Sequence, residues 1–97
     1  MNNIYIMSAV RSPIGTFGGT LKNFHPVDLG TIVAKEAIKR SKFESKEISH
    51  AVFGNVIHTE PRDMYVSRVI ALQSGLNKES SAFTVNRLCG SGLQSIV

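Results

Sequence analysis

Ala82-Phe83-Thr84-Val85-Asn86-Arg87-Leu88-Cys89-Gly90-Ser91-Gly92-Leu93-Gln94-Ser95 changes character at its midpoint, where strand-forming residues give way to small residues that can open a helix. Strand, tight turn, then helix is the joint of a sheet with helices packed on it. The turn also holds the only cysteine of the chain, Cys89. A helix N-terminus presents unpaired N–H groups and the positive end of its dipole, which favour thiolate over thiol, and the thiolate is the nucleophile. The bland alternative is a buried small hydrophobe, a common fate of free cysteine. Gly90 and Gly92 beside the sulfur favour the reactive reading, because they leave it open to a substrate.

Upstream, the residues repeat the same alternation of strand and helix. Ile4 to Val10 is almost continuously apolar, as expected of a strand buried on both faces of a parallel sheet. Arg11 to Gly19 reads as a packing loop, since its glycines match neither phosphate-binding spacing. Pro26 can open a helix whose Leu29, Ile32, Val33, Ala37 and Ile38 share one face, ending near Ser41. Ala51 to Ile57 reads as a second strand, with Gly54 and Asn55 marking a bulge or a close neighbour. Asp63 is expected to cap a helix over Met64 to Ser74 that stops at Gly75. A third strand, Ala82 to Asn86, and a third helix after Cys89 complete the order βαβαβα: an α/β fold with a parallel, helix-covered sheet.

In such sheets function gathers at the carboxyl ends of strands, and Cys89 lies just past one. Leu93 to Val97 carry no helix-stop signal, so the sequence reads as truncated inside the third helix. Three strands with such a helix would leave an edge and an apolar face uncovered, predicting an unstable or associating chain.

The composition excludes several classes. With 97 residues, 42% hydrophobic and 19% charged, the chain is globular rather than disordered. Its net charge of +4 comes from mixed signs, with Lys35, Lys39, Arg40, Lys42 and Lys46 interleaved with Glu36, Glu44 and Glu47 on a solvated face. A nucleic-acid surface would be one-signed with interleaved aromatics, so no nucleic-acid partner is expected, whereas a nucleotide-bearing small ligand stays compatible. One cysteine excludes an internal disulfide, and no metal-ligand spacing is present. The N-terminal residues lack a secretory signal, no transmembrane run occurs, and the expected location is cytoplasmic.

Competing motifs are weaker. Gly90-Ser91-Gly92 is half of a dinucleotide fingerprint, its third glycine replaced by Ser95. A serine elbow centred on Ser91 fails because its flanks are Cys89 and Leu93. Ser91 is expected to be a small packing residue. His25, His50 and His58 are read as surface or capping residues, and Glu60-Pro61-Arg62-Asp63 as turn and cap rather than a carboxylate pair.

Three blocks resemble the N-terminal part of thiolases, the acetyl-CoA acetyltransferases and 3-ketoacyl-CoA thiolases. They are Ala9 to Gly19, Val52-Phe53-Gly54-Asn55-Val56, and Val85 to Gln94, in the order and at the intervals of that family. Glu60 to Tyr65 resembles bacterial β-ketothiolases in particular. The resemblance implies a partial thiolase fold over residues 1–97, the incomplete first part of an N-terminal domain. It implies Cys89 as the residue accepting an acyl group from acyl-CoA, with CoA and acyl-CoA as substrates and no permanently bound cofactor. In the family, Claisen condensation with acetyl-CoA then needs a second cysteine and a histidine from the C-terminal part, and the subunits pair as dimers or tetramers.

The sequence holds no second cysteine and no Gly-His-Pro block. The resemblance thus implies an acyl-CoA C-acyltransferase parent that makes or cleaves 3-ketoacyl-CoA, and an inactive isolated chain. The alternatives are a non-catalytic truncated paralogue that pairs with full-length subunits and, last, a dinucleotide-binding domain.

Overall fold

The computed structural model describes residues 2–97. Helix α1 spans Pro26–Ser41. Pro26 sits where its missing N–H costs nothing, Asp28 in the first turn and Lys39 and Arg40 in the last complement the helix dipole, and Lys42 closes the helix in the left-handed region at φ 65°. Strand β1 (His50–Gly54), helix α2 (Val66–Gln73), strand β2 (Ser81–Val85) and helix α3 (Ser91–Ile96) follow. β1 and β2 run parallel, paired from His50 with Ser81 to Gly54 with Val85. The chain is thus α/β with a helix-covered parallel sheet, and its β1–α2–β2 unit puts the ends of both strands at one edge.

Alternation along the strands assigns two faces. Ala51 and Phe53, with Ala82 and Thr84, face the side of α1 and α2, where Val27, Val66 and Ile70 form the buried core and Ala34, Phe53 and Val69 pack against it. Gly30 lets the two helices close up, because a Cβ there would collide with Ile70 Cδ1. Ser67 of α2 is fully buried, and its Oγ accepts hydrogen bonds from Phe53 N (3.0 Å) and Thr84 Oγ1 (3.0 Å), fixing the helix to both strands. The opposite face, with His50, Val52, Phe83 and Val85, borders an open cleft of about 300 Å³ beneath the last residues of α3. Cover there is incomplete: Phe83 is 51% exposed and Ile96 73%.

The structure departs from the sequence reading in three places. Ile4 to Val10 forms no strand, so the described sheet has two strands rather than three. A doubly buried strand needs a sheet edge beside it and cover above and below. Ile6, at 81% exposure, has neither, and the side-chain anchor of the segment is the Ser8 hydroxyl donating to Ala37 O of α1 at 2.8 Å. The second strand ends at Gly54 rather than Ile57, since the chain turns away at the close neighbour Gly54 accommodates.

The third departure concerns Asp63, which does not cap α2 as its first flanking residue. The turn before α2 begins earlier, as a 3₁₀ segment Pro61–Tyr65 flanked by Glu60, and Asp63 reaches back from inside it. Its Oδ2 accepts from Thr59 N (2.6 Å), Thr59 Oγ1 (2.7 Å) and Glu60 N (3.2 Å). Pro61 at the first position makes the early start favourable. Arg62 then ties this turn to the start of α1 through Asp28 (3.7 Å) while bonding Glu60 (2.8 Å). Among the described residues no helix is long and apolar enough to cross a membrane.

Candidate active site around Cys89

Cys89 stands, exposed, in a short 3₁₀ turn, Leu88–Gly90, between β2 and α3. Three local features put it there. Asn86, the first residue after β2, accepts a hydrogen bond from Leu88 N on its Oδ1 (3.0 Å), an Asx-type closure that turns the chain at once. Its Nδ2 reaches Val56 O at 3.5 Å, beside the exit of β1. Leu88 then adopts φ 49°, the left-handed region, at a cost of about 1–2 kcal/mol for a residue with a Cβ. The sequence offers glycine two and four positions later, yet the strained residue is leucine. Gly90 and Gly92 face open space instead: a Cβ at Gly92 would meet nothing within 4 Å, and one at Gly90 only Arg87 Cβ at 4.0 Å.

The third feature is the seat of the turn. Ser91, 5% exposed, is pressed against the end of β1, where a Cβ on Gly54 would stand 2.8 Å from Ser91 C, Cβ and O. Its hydroxyl accepts from Arg87 N (2.8 Å) and donates to Leu88 O (2.8 Å). The packing role read from the sequence is therefore joined by a bonding role. Gly90 N donates to Arg87 O (2.9 Å) and Ser91 N to Leu88 O. Across Arg87 to Ser91 the amides of Arg87, Leu88, Gly90 and Ser91 are all engaged, and the Cys89 N–H precedes the first bond of the turn and takes part in none of them. An exposed thiol and a free amide on the same residue is an arrangement suited to attack on a carbonyl and to holding the oxygen that becomes negative.

The other candidates lie apart from this turn. His50 starts β1 and packs on Phe83, ring centroids 5.2 Å apart. His25 flanks α1 without a side-chain cap bond, and no described histidine hydrogen-bonds Cys89. Among the described residues no group of three or more His, Cys, Asp or Glu side chains is placed to hold a metal ion. The Asp63 carboxyl has a displaced acidity. Burial alone would push it up, but the N–H and hydroxyl of Thr59, the N–H of Glu60 and the nearby His58 outweigh burial and hold the carboxyl below its ordinary value. All of this belongs to turn closure before α2.

Residues 4–97 match the family description "Thiolase, N-terminal domain". The chain is 53% identical over 94 residues to Beta-ketothiolase BktB of Cupriavidus necator, covering 97% of this chain and 24% of that protein. Human mitochondrial 3-ketoacyl-CoA thiolase, solved in complex with CoA, superposes with a TM-score of 0.92 at 39% identity over 95% of this chain and 23% of its own. Acat5 thiolase from Ascaris suum, also solved with coenzyme A, gives a TM-score of 0.89 at 41% identity, over 95% and 24%. The chain spans about a quarter of the length of these relatives.

Proposed function

Because the chain belongs to the thiolase family, we propose that it carries the acyl-accepting part of an acyl-CoA C-acyltransferase, with Cys89 as the nucleophile. The observation that supports this most is the turn itself: an exposed thiol just beyond the carboxyl end of β2, on a residue whose own N–H is free while its neighbours' amides are engaged. The Cys89 sulfur attacks the carbonyl carbon of an acyl-CoA thioester. The carbonyl oxygen becomes an oxyanion that the Cys89 N–H can receive. The tetrahedral centre then collapses with rupture of the bond to the CoA sulfur, so that CoA leaves carrying the thiol proton and the acyl group stays on Cys89. One thioester replaces another of similar energy, and the step runs readily in both directions.

Carbon–carbon bond formation or cleavage between this acyl group and a second acyl-CoA requires a base at the α-carbon. The 97 residues contain no second cysteine, and no described imidazole or carboxylate hydrogen-bonds Cys89. The 97 residues alone therefore accept at most the first half-reaction. The substrate class is acyl-CoA and 3-ketoacyl-CoA, in keeping with the named ligand of the solved relatives and the identity to a β-ketothiolase.

The test uses the protein at its full coding length. Incubation with acetyl-CoA should place an acetyl group on the peptide containing Cys89, located by mass spectrometry, and acetoacetyl-CoA thiolysis should disappear in C89A. Acetylation elsewhere, or thiolysis unaffected by C89A, overturns the assignment. Turnover by the 97-residue chain above its own C89A control overturns the restriction to the first half-reaction.

A further inference from the structure

Three features outside the reacting thiol stand out: the uncovered cleft under α3, the buried Asp63 carboxylate, and the buried hydroxyl of Ser91. Nothing in the structure shows what would cover the cleft, and Asp63 closes the turn before α2. Ser91 is different, because its hydroxyl is spent on the two residues immediately before Cys89.

We propose that Ser91 is a positioning residue for Cys89, acting together with Asn86 as a brace that holds Leu88 in its left-handed conformation. A hydroxyl has one proton to give and lone pairs to receive, and here both capacities are used on the same short stretch. It receives Arg87 N–H and gives to Leu88 O, each at 2.8 Å, so the Arg87–Leu88 segment is gripped at both ends. From the other side Asn86 Oδ1 receives Leu88 N–H at 3.0 Å. Leu88 at φ 49° would relax if released, since residues with a Cβ leave that region unless the surroundings over-determine it.

What those bonds prevent decides the consequence. Relaxation of Leu88 would swing the next residue, carrying both the Cys89 sulfur and its free N–H. The brace can resist because Ser91 is itself immobile, buried at 5% exposure against Gly54 at the end of β1. The sheet thus fixes the serine, the serine fixes the backbone before the cysteine, and that backbone aims the thiol. Ser91 touches neither the acyl group nor CoA in this scheme.

This inference rests on Cys89 being the acyl acceptor, and the experiment separates the two. In the full coding-length protein, rapid-quench mass spectrometry follows acetylation of Cys89 by acetyl-CoA, for wild type, S91A, N86A and N86D. Failure of wild type to acetylate Cys89 removes the underlying reading. If wild type acetylates, S91A should slow the step at least about tenfold, towards the roughly hundredfold loss that goes with displacement by about 1 Å, while the acetyl-CoA concentration giving half-maximal rate changes less than about twofold. N86A should slow the same step and N86D, which keeps the acceptor for Leu88 N–H, should recover most of it. S91A and N86A acetylating at the wild-type rate overturns the brace. A loss seen only as weaker acetyl-CoA saturation overturns it too. Should S91A fail to fold, the N86A and N86D pair, changed at an exposed position, decides the matter by the same rates.

Discussion

Replacing Gly54 with alanine should weaken the chain and displace Cys89 although the substituted residue lies 35 positions from the cysteine in sequence. The added Cβ would stand 2.8 Å from three atoms of Ser91, two of them backbone. Carbon atoms settle at about 3.5 Å or more, so Ser91 must retreat by about 0.7 Å. No side-chain rotation relieves this, because the obstacle is the start of α3 itself. Overpacking of this kind costs about 1–3 kcal/mol, and the lower unfolded-state entropy of alanine returns about 0.5–1 kcal/mol. The net loss, centred on about 1 kcal/mol within a range of about 0–2.5, corresponds at its centre to a fall in Tm of about 4–8 °C for a domain of this size.

Gly30→Ala is the matched control. There the new Cβ collides with the tip of the Ile70 side chain, which can change rotamer at about 0.5–1.5 kcal/mol, while alanine in a helix interior regains a similar amount. Thermal unfolding by circular dichroism, with the rate of Cys89 alkylation as a second readout, distinguishes the pair: G54A should melt well below G30A and change its alkylation rate. Equal melting temperatures with an unaltered alkylation rate would refute the claim that the end of β1 is the seat of the Cys89 turn.

Asp63→Asn should cost about 2–3 kcal/mol in urea unfolding, because a carboxylate oxygen that receives three hydrogen bonds is replaced by a neutral amide in a fully buried position. The folded carboxyl lies below its ordinary value, so its contribution is complete above the unfolded value near 4 and is lost as the pH falls through the folded one; the wild-type stability should drop on acidification across that window, and D63N should be flatter there. Ser67→Ala and Thr84→Ala each remove the hydroxyl pair that joins α2 to β2, so a double-mutant cycle should show the two losses sharing about 1 kcal/mol rather than adding, and strict additivity would contradict the bond. Ile6→Lys should raise the monomer fraction in sedimentation, since it puts a charge into the exposed apolar stretch Ile4–Met7; unchanged association would place the sticky surface elsewhere, the half-exposed Phe83 and the exposed Ile96 being next in line.

Local sequence determined the elements that close within themselves. The helix over Pro26–Ser41 carries its own start and dipole charges and appears with the expected bounds, although it buries Val27 and Thr31, with Ala34 against the core, while Ile32 of the expected face is 55% exposed. The strand beginning at Ala82 and the helix opening after Cys89 likewise carry theirs, within a residue or two. Ile4 to Val10 shows the opposite case. Its apolar run states a demand for burial, but whether a strand forms depends on an edge to pair with, and that is a property of the rest of the sheet. Asp63 illustrates a finer limit: an acidic residue just before an apolar stripe fits either a cap or an inward-reaching turn residue, and Pro61 two places earlier decided for the second.

At the site, residue types were readable and backbone state was not. A cysteine between a strand and a glycine-rich helix start singles out Cys89 as the proposed nucleophile from sequence alone, and the structure places it exposed in that turn. The positive φ, however, falls on Leu88 rather than on Gly90 or Gly92, in a turn whose far end, where α3 lands on β1, packs Ser91 against Gly54. That landing depends on Gly54 and Ser91, residues far apart in sequence whose fit leaves no local pattern. Glycine at position 88 would adopt the turn without strain, but it would also adopt others, and the free Cys89 N–H would then have no fixed direction. A residue that resists the conformation, held in it by bonds from both sides, gives a narrower set of orientations than one that merely permits it. The strain at Leu88 is thus coherent with the proposed role of the turn, in which one sulfur and one amide are presented to a single carbonyl.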